Sequence, residues 1–323
     1  NATAGKYGLV ELSTRYGDCL MPEIITVDVK ELKRKKIMKD TLFSPLLVEK
    51  VREALSRGEQ AILFQNRRGF APMIECRGCG WVPHCVNCDV SLTYHKAHNQ
   101  LVCHYCGYTY RLPQVCPECK GTEFKMQGFG TEKVEEEIAG QFPAAKVERL
   151  DFDTARTRTA YERIISDFEK GKTQILIGTQ MLSKGLDFGN VSVVGILSAD
   201  SLMNFPDFRA HERAYQLMVQ VSGRAGRRDK RGTVILQTTQ PEHPLIRMVQ
   251  HFAYKEMVSL QLSERSMFRY PPYYRLIVLI LRSRNEEALQ EMSALYAEKL
   301  RARLGERREI SHGARSASEA YGT

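Results

Sequence analysis

The cysteines are the first residues in this sequence whose types and spacing predict chemistry. Eight of the nine lie between Cys76 and Cys119, and all eight form Cys-x-x-Cys pairs. The pairs are Cys76/Cys79, Cys85/Cys88, Cys103/Cys106 and Cys116/Cys119. A Cys-x-x-Cys turn presents two sulfurs to one ion, and structural zinc is bound by four such ligands in a tetrahedron. The block therefore predicts two zinc sites, both structural because protein ligands fill every position.

The spacing also bears on which pairs share an ion. The two middle pairs flank a predicted hairpin, with strands at Val90–Tyr94 and Gln100–Val102 and a turn at His95–Asn99. A hairpin brings its two ends together, which favours a nested arrangement: the middle pairs on one ion, the outer pairs on the other. Sequential pairing is the alternative. Gly80 and Gly107 follow the second cysteine of two pairs and ease those turns.

Other interpretations of this block are weaker. The opening Asn1–Val10 lacks the pattern of a signal peptide, so metal is favoured over disulfides. An iron–sulfur cluster would also use Cys-x-x-Cys pairs, but the polar hairpin fits a zinc ribbon better. The nearby histidines are then surplus, which favours surface residues over metal ligands: His84, His95, His98 and His104. The nearby tyrosines either stack on bases or form a miniature core: Tyr94, Tyr105, Tyr108 and Tyr110.

A second pattern, Gln220-x-x-Gly223-Arg224-x-Gly226-Arg227, predicts phosphate chemistry. Two arginines three residues apart, flanked by glycines, suit binding of the terminal phosphate of a nucleotide. A basic turn would explain the charges but neither the glutamine nor the glycines.

Further polar residues follow predicted strands. Gly178-Thr179-Gln180 ends one strand and leads to Lys184-Gly185-Leu186-Asp187, while Asn66-Arg67-Arg68-Gly69 follows another. Ligands of open α/β sheets bind at the carboxyl ends of strands. Thr179 is a candidate for a nucleic-acid phosphate, and Asp187 for a ribose hydroxyl or an arginine. Arg67 and Arg68 either hold phosphate or are surface charges.

These residues need a scaffold, and the hydrophobic pattern predicts a parallel sheet covered by helices on both faces. Predicted strands of the sheet are Gln60–Gln65, Lys146–Leu150, Gln174–Gly178, Val191–Leu197 and Gly232–Gln237. Glu23–Val27 is a further short strand candidate. Predicted helices begin at Pro45 and span Thr131–Phe142, Ala160–Lys170, Phe208–Val221 and Pro244–Leu262. After a boundary at Ser263–Pro272, the pattern predicts a strand at Tyr274–Leu281 and a helix from Asn285.

Composition narrows the class of partner. The 323 residues carry a net charge of +9, which favours an anionic partner, nucleic acid first. No apolar run approaches the roughly 18–20 residues of a membrane-spanning helix. The charge run Lys30–Lys39 is a solvated face or a phosphate contact.

Several longer strings carry a family resemblance in order along the chain. They are FQNRRGFAP (Phe64–Pro72), the eight cysteines, GFGTEKVEEE (Gly128–Glu137), LDFDTARTRTAYE (Leu150–Glu162), ILIGTQMLSKGLDFGNVSVV (Ile175–Val194), PDFRAHERAYQLMVQVSGRAGR (Pro206–Arg227) and RYPPYYRL (Arg269–Leu276). With them the chain resembles the second motor lobe of superfamily 2 helicases and, more narrowly, the PriA family of bacterial replication-restart helicases. The implied fold is an α/β, RecA-like parallel-sheet lobe with an inserted all-cysteine double-zinc module and a partial α+β C-terminal domain.

The resemblance implies an ATP-dependent 3′-to-5′ DNA helicase that recognises stalled forks and recombination intermediates and restarts replication by primosome assembly. It implies a cytoplasmic protein with two structural zinc ions, ATP and Mg as cofactors. Implied partners are forked or single-stranded DNA, single-stranded DNA-binding protein, other primosome proteins and the replicative helicase. It assigns Arg224 and Arg227 to catalysis and Gly185, Asp187, Gln220 and Gly223 to the nucleotide. Thr179 is assigned to DNA, and we add Gln180, Arg67, Arg68 and Lys184 as candidate DNA contacts.

Two family motifs are missing from the sequence. Gly171-Lys172-Thr173 has Ser166 where a phosphate loop needs a glycine, and there is no Asp-Glu-x-His motif for magnesium. We therefore expect the C-terminal portion of a longer helicase, without ATPase activity of its own.

The expected domains are the end of the first lobe and a linker (1–43), the second lobe (44–75 and 120–262), the zinc module (76–119) and a partial C-terminal domain (263–323). The alternatives are a zinc-ribbon DNA- or protein-binding module without motor activity and an iron–sulfur electron carrier.

Overall fold

A six-stranded parallel sheet forms the centre of the computed structural model. The structure describes residues 5–8, 10, 20–38, 41–66, 73–95, 99–103, 105–126, 130–183, 188–226, 231–277, 279, 281 and 285–304. In spatial order the strands are β1 (Glu23–Asp28), β11 (Thr233–Thr238), β10 (Val191–Ile196), β2 (Gln60–Phe64), β9 (Ile175–Gly178) and β8 (Val147–Leu150). Every neighbouring pair is parallel, as the alternation of strands and helices predicts.

Helices cover both faces of this sheet. Successive residues of β2 enter different cores: Ile62 and Phe64 lie in one, Ala61 and Leu63 in the other. Burial on both faces explains why the strands are almost continuously apolar. The helices are α1 (Val29–Arg34), α2 (Pro45–Ser56), α3 (Thr131–Gln141), α4 (Arg158–Glu169), α5 (Asp200–Met203), α6 (Ala210–Ser222), α7 (Pro244–Gln250), α8 (Tyr254–Met267) and α9 (Glu286–Leu304).

Local signals fix the ends of α2. The Ser44 hydroxyl accepts a hydrogen bond from the Leu47 amide at 3.3 Å, and Pro45 occupies the first turn, where its missing N–H costs nothing. Gly58 follows the helix with φ +70°, a conformation that glycine adopts without strain.

The zinc module leaves the sheet after β2 and returns before α3. Its stalk is the antiparallel pair β3 (Ile74–Cys76) and β7 (Phe124–Met126). Its hairpin forms a three-stranded sheet in the order β4 (Thr93–His95), β5 (Gln100–Val102) and β6 (Thr109–Arg111). The first hairpin strand starts later than predicted because the Val90 carbonyl accepts a hydrogen bond from the Cys85 amide at 2.8 Å within a cysteine turn.

Three features differ from the sequence predictions. β1, which we assigned to the preceding lobe with residues 1–43, pairs with β11 along its whole length, so the sheet of this lobe already includes Glu23. The predicted helix Pro244–Leu262 is two helices, because Phe252 between them takes φ +53°.

The strand predicted at Tyr274–Leu281 is also wrong for the part of that segment which the structure describes, residues 274–277, 279 and 281. These residues are irregular, and Leu276, Ile277 and Leu279 are exposed. An apolar run becomes a strand only where its backbone finds a partner, and no described strand pairs with this one. No described helix combines the length and apolarity needed to cross a bilayer.

Candidate metal centres and arginine motif

The eight cysteines form two clusters in the nested arrangement. The outer cluster contains Cys76, Cys79, Cys116 and Cys119, and the inner cluster contains Cys85, Cys88, Cys103 and Cys106. Within each cluster all sulfurs lie within 4.8 Å of one another. The Sγ–Sγ distances are 3.5 Å for Cys76–Cys119, 3.6 Å for Cys79–Cys116 and 3.6 Å for Cys85–Cys106. Sulfurs about 2.3 Å from a tetrahedral zinc ion would be about 3.8 Å apart, so both clusters fit zinc.

All four Cys-x-x-Cys pairs form the same type of turn. The residue after the second cysteine has positive φ in all four: Gly80 (+75°), Asp89 (+51°), Gly107 (+70°) and Lys120 (+62°). Its amide donates to the carbonyl of the first cysteine at 2.9–3.0 Å. The glycines were predicted, but Asp89 and Lys120 were not, because these residue types rarely take this conformation. The only sequence signal for them was their position after a second cysteine.

The surroundings of the sulfurs differ within each cluster. Burial raises the pKa of Cys79 to about 12. A hydrogen bond from the Gly121 amide is the main cause that lowers the pKa of Cys119 to about 7. In the inner cluster, hydrogen bonding from the Cys88 thiol lowers the pKa of Cys103 to about 5. In each cluster the pKa of one sulfur is thus lowered, which favours the thiolate form that a metal ion binds.

The neighbouring histidines do not supply metal ligands in the described part of the module, where both potential metal groups contain cysteines alone. His84 is instead 3.3 Å from the Ser91 hydroxyl, and His95 is buried. His98 and His104 lie outside the described residues. The Tyr110 hydroxyl contacts the sulfur of Cys85 at 3.6 Å, and Tyr94, Tyr105 and Tyr110 pack on the core around the inner cluster.

The inner cluster is joined to the sheet lobe by three aromatic rings. Phe208, just before α6, stacks on Tyr270 with ring centroids 4.6 Å apart, and Tyr105 of the module meets both rings edge-on. The Tyr270 hydroxyl donates to the Cys88 carbonyl at 3.0 Å, and the Phe208 amide donates to the Tyr105 hydroxyl at 3.3 Å. We call this group the aromatic joint. Phe208 and Tyr270 lie in family-like strings, but no pattern in the sequence indicated that they meet.

The outer cluster touches the lobe differently. A Cβ atom on Gly80 would lie 2.6 Å from the Thr239 hydroxyl oxygen, so the turn after Cys79 rests directly on the residue that follows β11. Asp200 accepts hydrogen bonds from the Thr239 hydroxyl and amide, each at 2.9 Å. Burial raises the pKa of the Asp200 carboxyl group. This contact is a close backbone approach rather than an aromatic cluster.

The arginine motif begins on the last turn of α6. Gln220 is in the helix, Gly223 caps it, and the half-buried Arg224 follows. The Gly226 amide donates to the carbonyl of Val191 at 3.0 Å, which ties the motif to the first residue of β10. A Cβ atom on Gly232 would lie 2.3 Å from the Gly226 nitrogen, so only glycine fits beside this loop. The motif therefore lies at the amino edge of the parallel sheet.

Two of the candidate DNA contacts, Thr179 and Gln180, lie at the opposite edge. Thr179 follows the last residue of β9, and Gln180 begins a short 3₁₀ helix, Gln180–Ser183. Thr179 is only 4% exposed, whereas Gln180 is half-buried, so solvent reaches Gln180. A six-residue strand rises about 20 Å, which is the scale of the separation between the two edges. The other candidate residues lie outside the described residues: Arg67, Arg68, Lys184, Gly185, Asp187 and Arg227.

Gly171-Lys172-Thr173 is not a phosphate loop in this fold. It joins α4 to β9, whereas a phosphate loop leads from a strand into a helix. Lys172 forms an ion pair with Asp167 at 3.1 Å, and the Thr173 hydroxyl donates to Glu148 at 2.5 Å. These side chains are used in packing the edge of the sheet.

Two family models match the chain. Residues 85–111 match the PriA DNA helicase Cys-rich region (CRR) domain, and residues 125–229 match the helicase conserved C-terminal domain. The second match includes the arginine motif up to Arg227, and the sheet lobe is a RecA-like helicase lobe.

Curated relatives match most of the chain. It is 44% identical over 299 residues to the replication restart protein PriA of Bacillus subtilis, with 93% of this chain and 36% of the relative covered. It is 41% identical to that of Synechocystis (87% and 34% covered) and 40% identical to that of Haemophilus influenzae (84% and 37% covered). The chain thus spans about a third of the length of these relatives. On this evidence the chain belongs to the PriA family of replication restart proteins.

Proposed function

We propose that this chain is the second motor lobe, with its zinc module, of an ATP-dependent 3′-to-5′ DNA helicase. The whole helicase would recognise stalled forks and recombination intermediates and restart replication by primosome assembly. The observation that supports this best is the presence, in one chain, of a double four-cysteine module and a RecA-like lobe with the arginine motif.

In this proposal Arg224 and Arg227 face a nucleotide that the first lobe holds. Guanidinium groups stabilise the charge that spreads over the phosphoryl oxygens, an effect of roughly 10³–10⁵ in rate where it has been measured. Gln220, Gly223, Gly185 and Asp187 would line the same cleft. The phosphate loop and the magnesium ligands would come from the first lobe.

DNA would cross the carboxyl edge of the sheet. Gln180, Thr179 and Lys184 are the proposed contacts after β9, and Arg67 and Arg68 those after β2. Separation of this edge from the arginine motif supports an arrangement with nucleotide and DNA on different sides of one rigid lobe. The zinc module would meet DNA, single-stranded DNA-binding protein, other primosome proteins or the replicative helicase.

One experiment tests the motor assignment. In the complete helicase, Arg224→Ala and Arg227→Ala should each abolish unwinding while zinc content stays at two ions per chain. If the zinc-bearing chain instead acts only as a DNA- or protein-binding module, both variants should retain the activity of the parent protein.

A second experiment concerns the chain alone. We expect no DNA-stimulated ATP hydrolysis by the pure 323-residue chain, because it has no phosphate loop in its sequence. Metal-dependent turnover that rises with added DNA would contradict this.

A further inference from the structure

The loop after β8 presents an aromatic ring to solvent. Phe152 is 71% exposed, and among the phenylalanines that the structure describes it is the one that is exposed rather than buried or half-buried. Single exposed apolar residues are common on protein surfaces, so exposure alone does not indicate a binding role for Phe152. Two further observations support such a role.

First, hydrogen bonds hold the loop in one shape. The buried Asp151 carboxylate accepts from the Thr131 hydroxyl at 2.5 Å and from the amides of Asp153 and Thr154 at 2.9 and 3.0 Å. The Thr154 hydroxyl donates to the Arg149 carbonyl at 2.9 Å. Phe152 lies inside this turn sequence, so its ring is held outward by a fixed backbone. Stacking of a base on this ring would therefore cost little conformational entropy in the protein.

Second, the loop is beside the proposed DNA contacts. Leu150, the last residue of β8, is the register partner of Gly178, the last residue of β9. The Thr179 amide approaches the Leu150 carbonyl at 3.4 Å. The ends of β8 and β9 therefore lie side by side on the carboxyl edge. Phe152 lies two residues after Leu150, and Gln180 lies two residues after Gly178.

The surroundings favour a base over a protein partner. No other large apolar side chain is exposed between Val115 and Tyr254 in the described residues, whereas a protein interface needs a contiguous patch. Each carboxylate of the loop is paired with an arginine, since Arg156 forms an ion pair with Asp153 at 3.4 Å and Arg149 of β8 forms one with Asp151 at 3.5 Å. One isolated ring without a surplus of charge suits stacking, which is tolerant of sequence and independent of phosphate.

We propose that Phe152 is a stacking platform for a base of single-stranded DNA that crosses the carboxyl edge of this lobe. The proposal rests on the proposed function, because it presumes that DNA lies on this edge. The other candidate residues on this edge are polar and would contact the DNA backbone. Phe152 would add an uncharged contact to a base.

The test uses the 323-residue chain and a fluorescent oligothymidylate, with binding measured by anisotropy across a series of salt concentrations. We expect Phe152→Ala to bind about 5- to 100-fold more weakly at every salt concentration, with an unchanged slope of log affinity against log salt. Phe152→Trp should bind like the parent. Arg156→Gln is the matched control for charge. If Arg156 contacts a phosphate, the slope of log affinity against log salt for this variant should be shallower by about 0.7.

An abasic oligonucleotide of equal length isolates the base. The parent should prefer the oligothymidylate to the abasic strand, and Phe152→Ala should lose that preference. Tryptophan fluorescence of Phe152→Trp, corrected for the single Trp81 of the parent, should be quenched by the oligothymidylate and not by the abasic strand. Circular dichroism and zinc content, unchanged in all variants, establish that the fold is intact.

Two results would overturn the proposal in different ways. If the parent binds the oligothymidylate and Phe152→Ala binds equally well, the stacking contact is wrong and DNA binding stands. If the parent does not bind single-stranded DNA even at low salt, the proposed DNA contact of this edge fails, and the stacking contact fails with it.

Discussion

The outer and inner cysteine clusters share one ligand set but are attached to the molecule in different ways. The outer cluster closes the stalk at β3 and touches the lobe through the backbone of Gly80 against Thr239. The inner cluster lies at the hairpin and touches the lobe through the rings of the aromatic joint. The outer cluster therefore fastens the base of the module, and the inner cluster is joined to the start of α6.

This difference matters because α6 ends at the arginine motif. Phe208 lies two residues before Ala210, the first residue of α6, and Gly223 and Arg224 follow its last residue. A 13-residue helix is about 20 Å long and moves nearly as a rigid rod. The inner cluster thus has a direct packing route to the helix that presents the arginines, and the outer cluster contacts β11 instead.

The largest effect should come from removing one cluster at a time. Cys103→Ser in the inner cluster and Cys119→Ser in the outer cluster should each lower zinc content from about two ions to about one. Since structural zinc can supply on the order of 10 kcal/mol, each loss should unfold its own part of the module. Hydrogen exchange should then increase in α6 for Cys103→Ser, and in the stalk strands β3 and β7 for Cys119→Ser. Equal exchange in α6 for the two variants would contradict the claim that only the inner cluster is joined to this helix.

The contact of the outer cluster can be tested without touching a ligand. Gly80→Ala places a Cβ atom 2.6 Å from the Thr239 hydroxyl oxygen at a residue with φ +75°. The backbone strain alone should cost about 1–3 kcal/mol of unfolding free energy. Gly58→Ala is the matched control, because Gly58 has φ +70° with nothing within 4 Å of its Cβ position. In urea denaturation that control should show the cost of backbone strain alone, and Gly80→Ala should be less stable than it because of the added clash with Thr239. Equal losses of stability in the two variants would show that the turn after Cys79 does not rest on Thr239.

Acid should weaken the packing of α7 against α6, the helix that the aromatic joint connects to the inner cluster. His243 caps α7, and its Nδ1 accepts a hydrogen bond from the Leu245 amide at 3.2 Å. Burial is the main cause that lowers its pKa to about 4, and the ring of His211 lies 5.2 Å away, with Glu264 and His84 also nearby. Protonation removes the acceptor and adds a buried charge.

The sign of the pH effect follows from the lowered pKa. Above pH 6.5 the imidazole is neutral in both folded and unfolded chains, so its stabilisation is complete. As the pH falls from 6.5 towards 4, the unfolded chain takes up the proton first and stability is lost, at about 1.4 kcal/mol per pH unit. His243→Asn keeps a capping acceptor but does not titrate. Its free energy of unfolding, measured with urea, should fall less than that of the parent, by about 2 kcal/mol between pH 6.5 and 5. Parallel curves would contradict the assignment.

The sequence was sufficient for features that depend on short-range pattern. Burial on both faces makes the strands of the sheet apolar, so β2, β9 and β10 were predicted nearly residue by residue. The nested clusters followed from one hairpin. Features that depend on long-range contact were not predicted: β1 joins the sheet across more than 200 residues, and the aromatic joint brings together Tyr105, Phe208 and Tyr270. The strand prediction for Tyr274–Leu281 was wrong for the same reason, since an apolar run does not reveal whether a partner strand exists.

The smallest effect should come from a single hydroxyl group of the aromatic joint. Tyr270→Phe removes the hydrogen bond to the Cys88 carbonyl and keeps the ring stack with Phe208. The net loss should be about 1 kcal/mol, because the partly buried carbonyl loses its partner while the apolar contact remains. Tyr94→Phe is the control: its hydroxyl donates to Asn99 at an exposed site, where water replaces the bond and stability should change little. If Tyr270→Phe also leaves unfolding free energy and hydrogen exchange of α6 unchanged, the rings alone make the joint. If exchange rises in the first turn of α6 but not in β11, the hydroxyl is part of the connection between the inner cluster and the arginine helix.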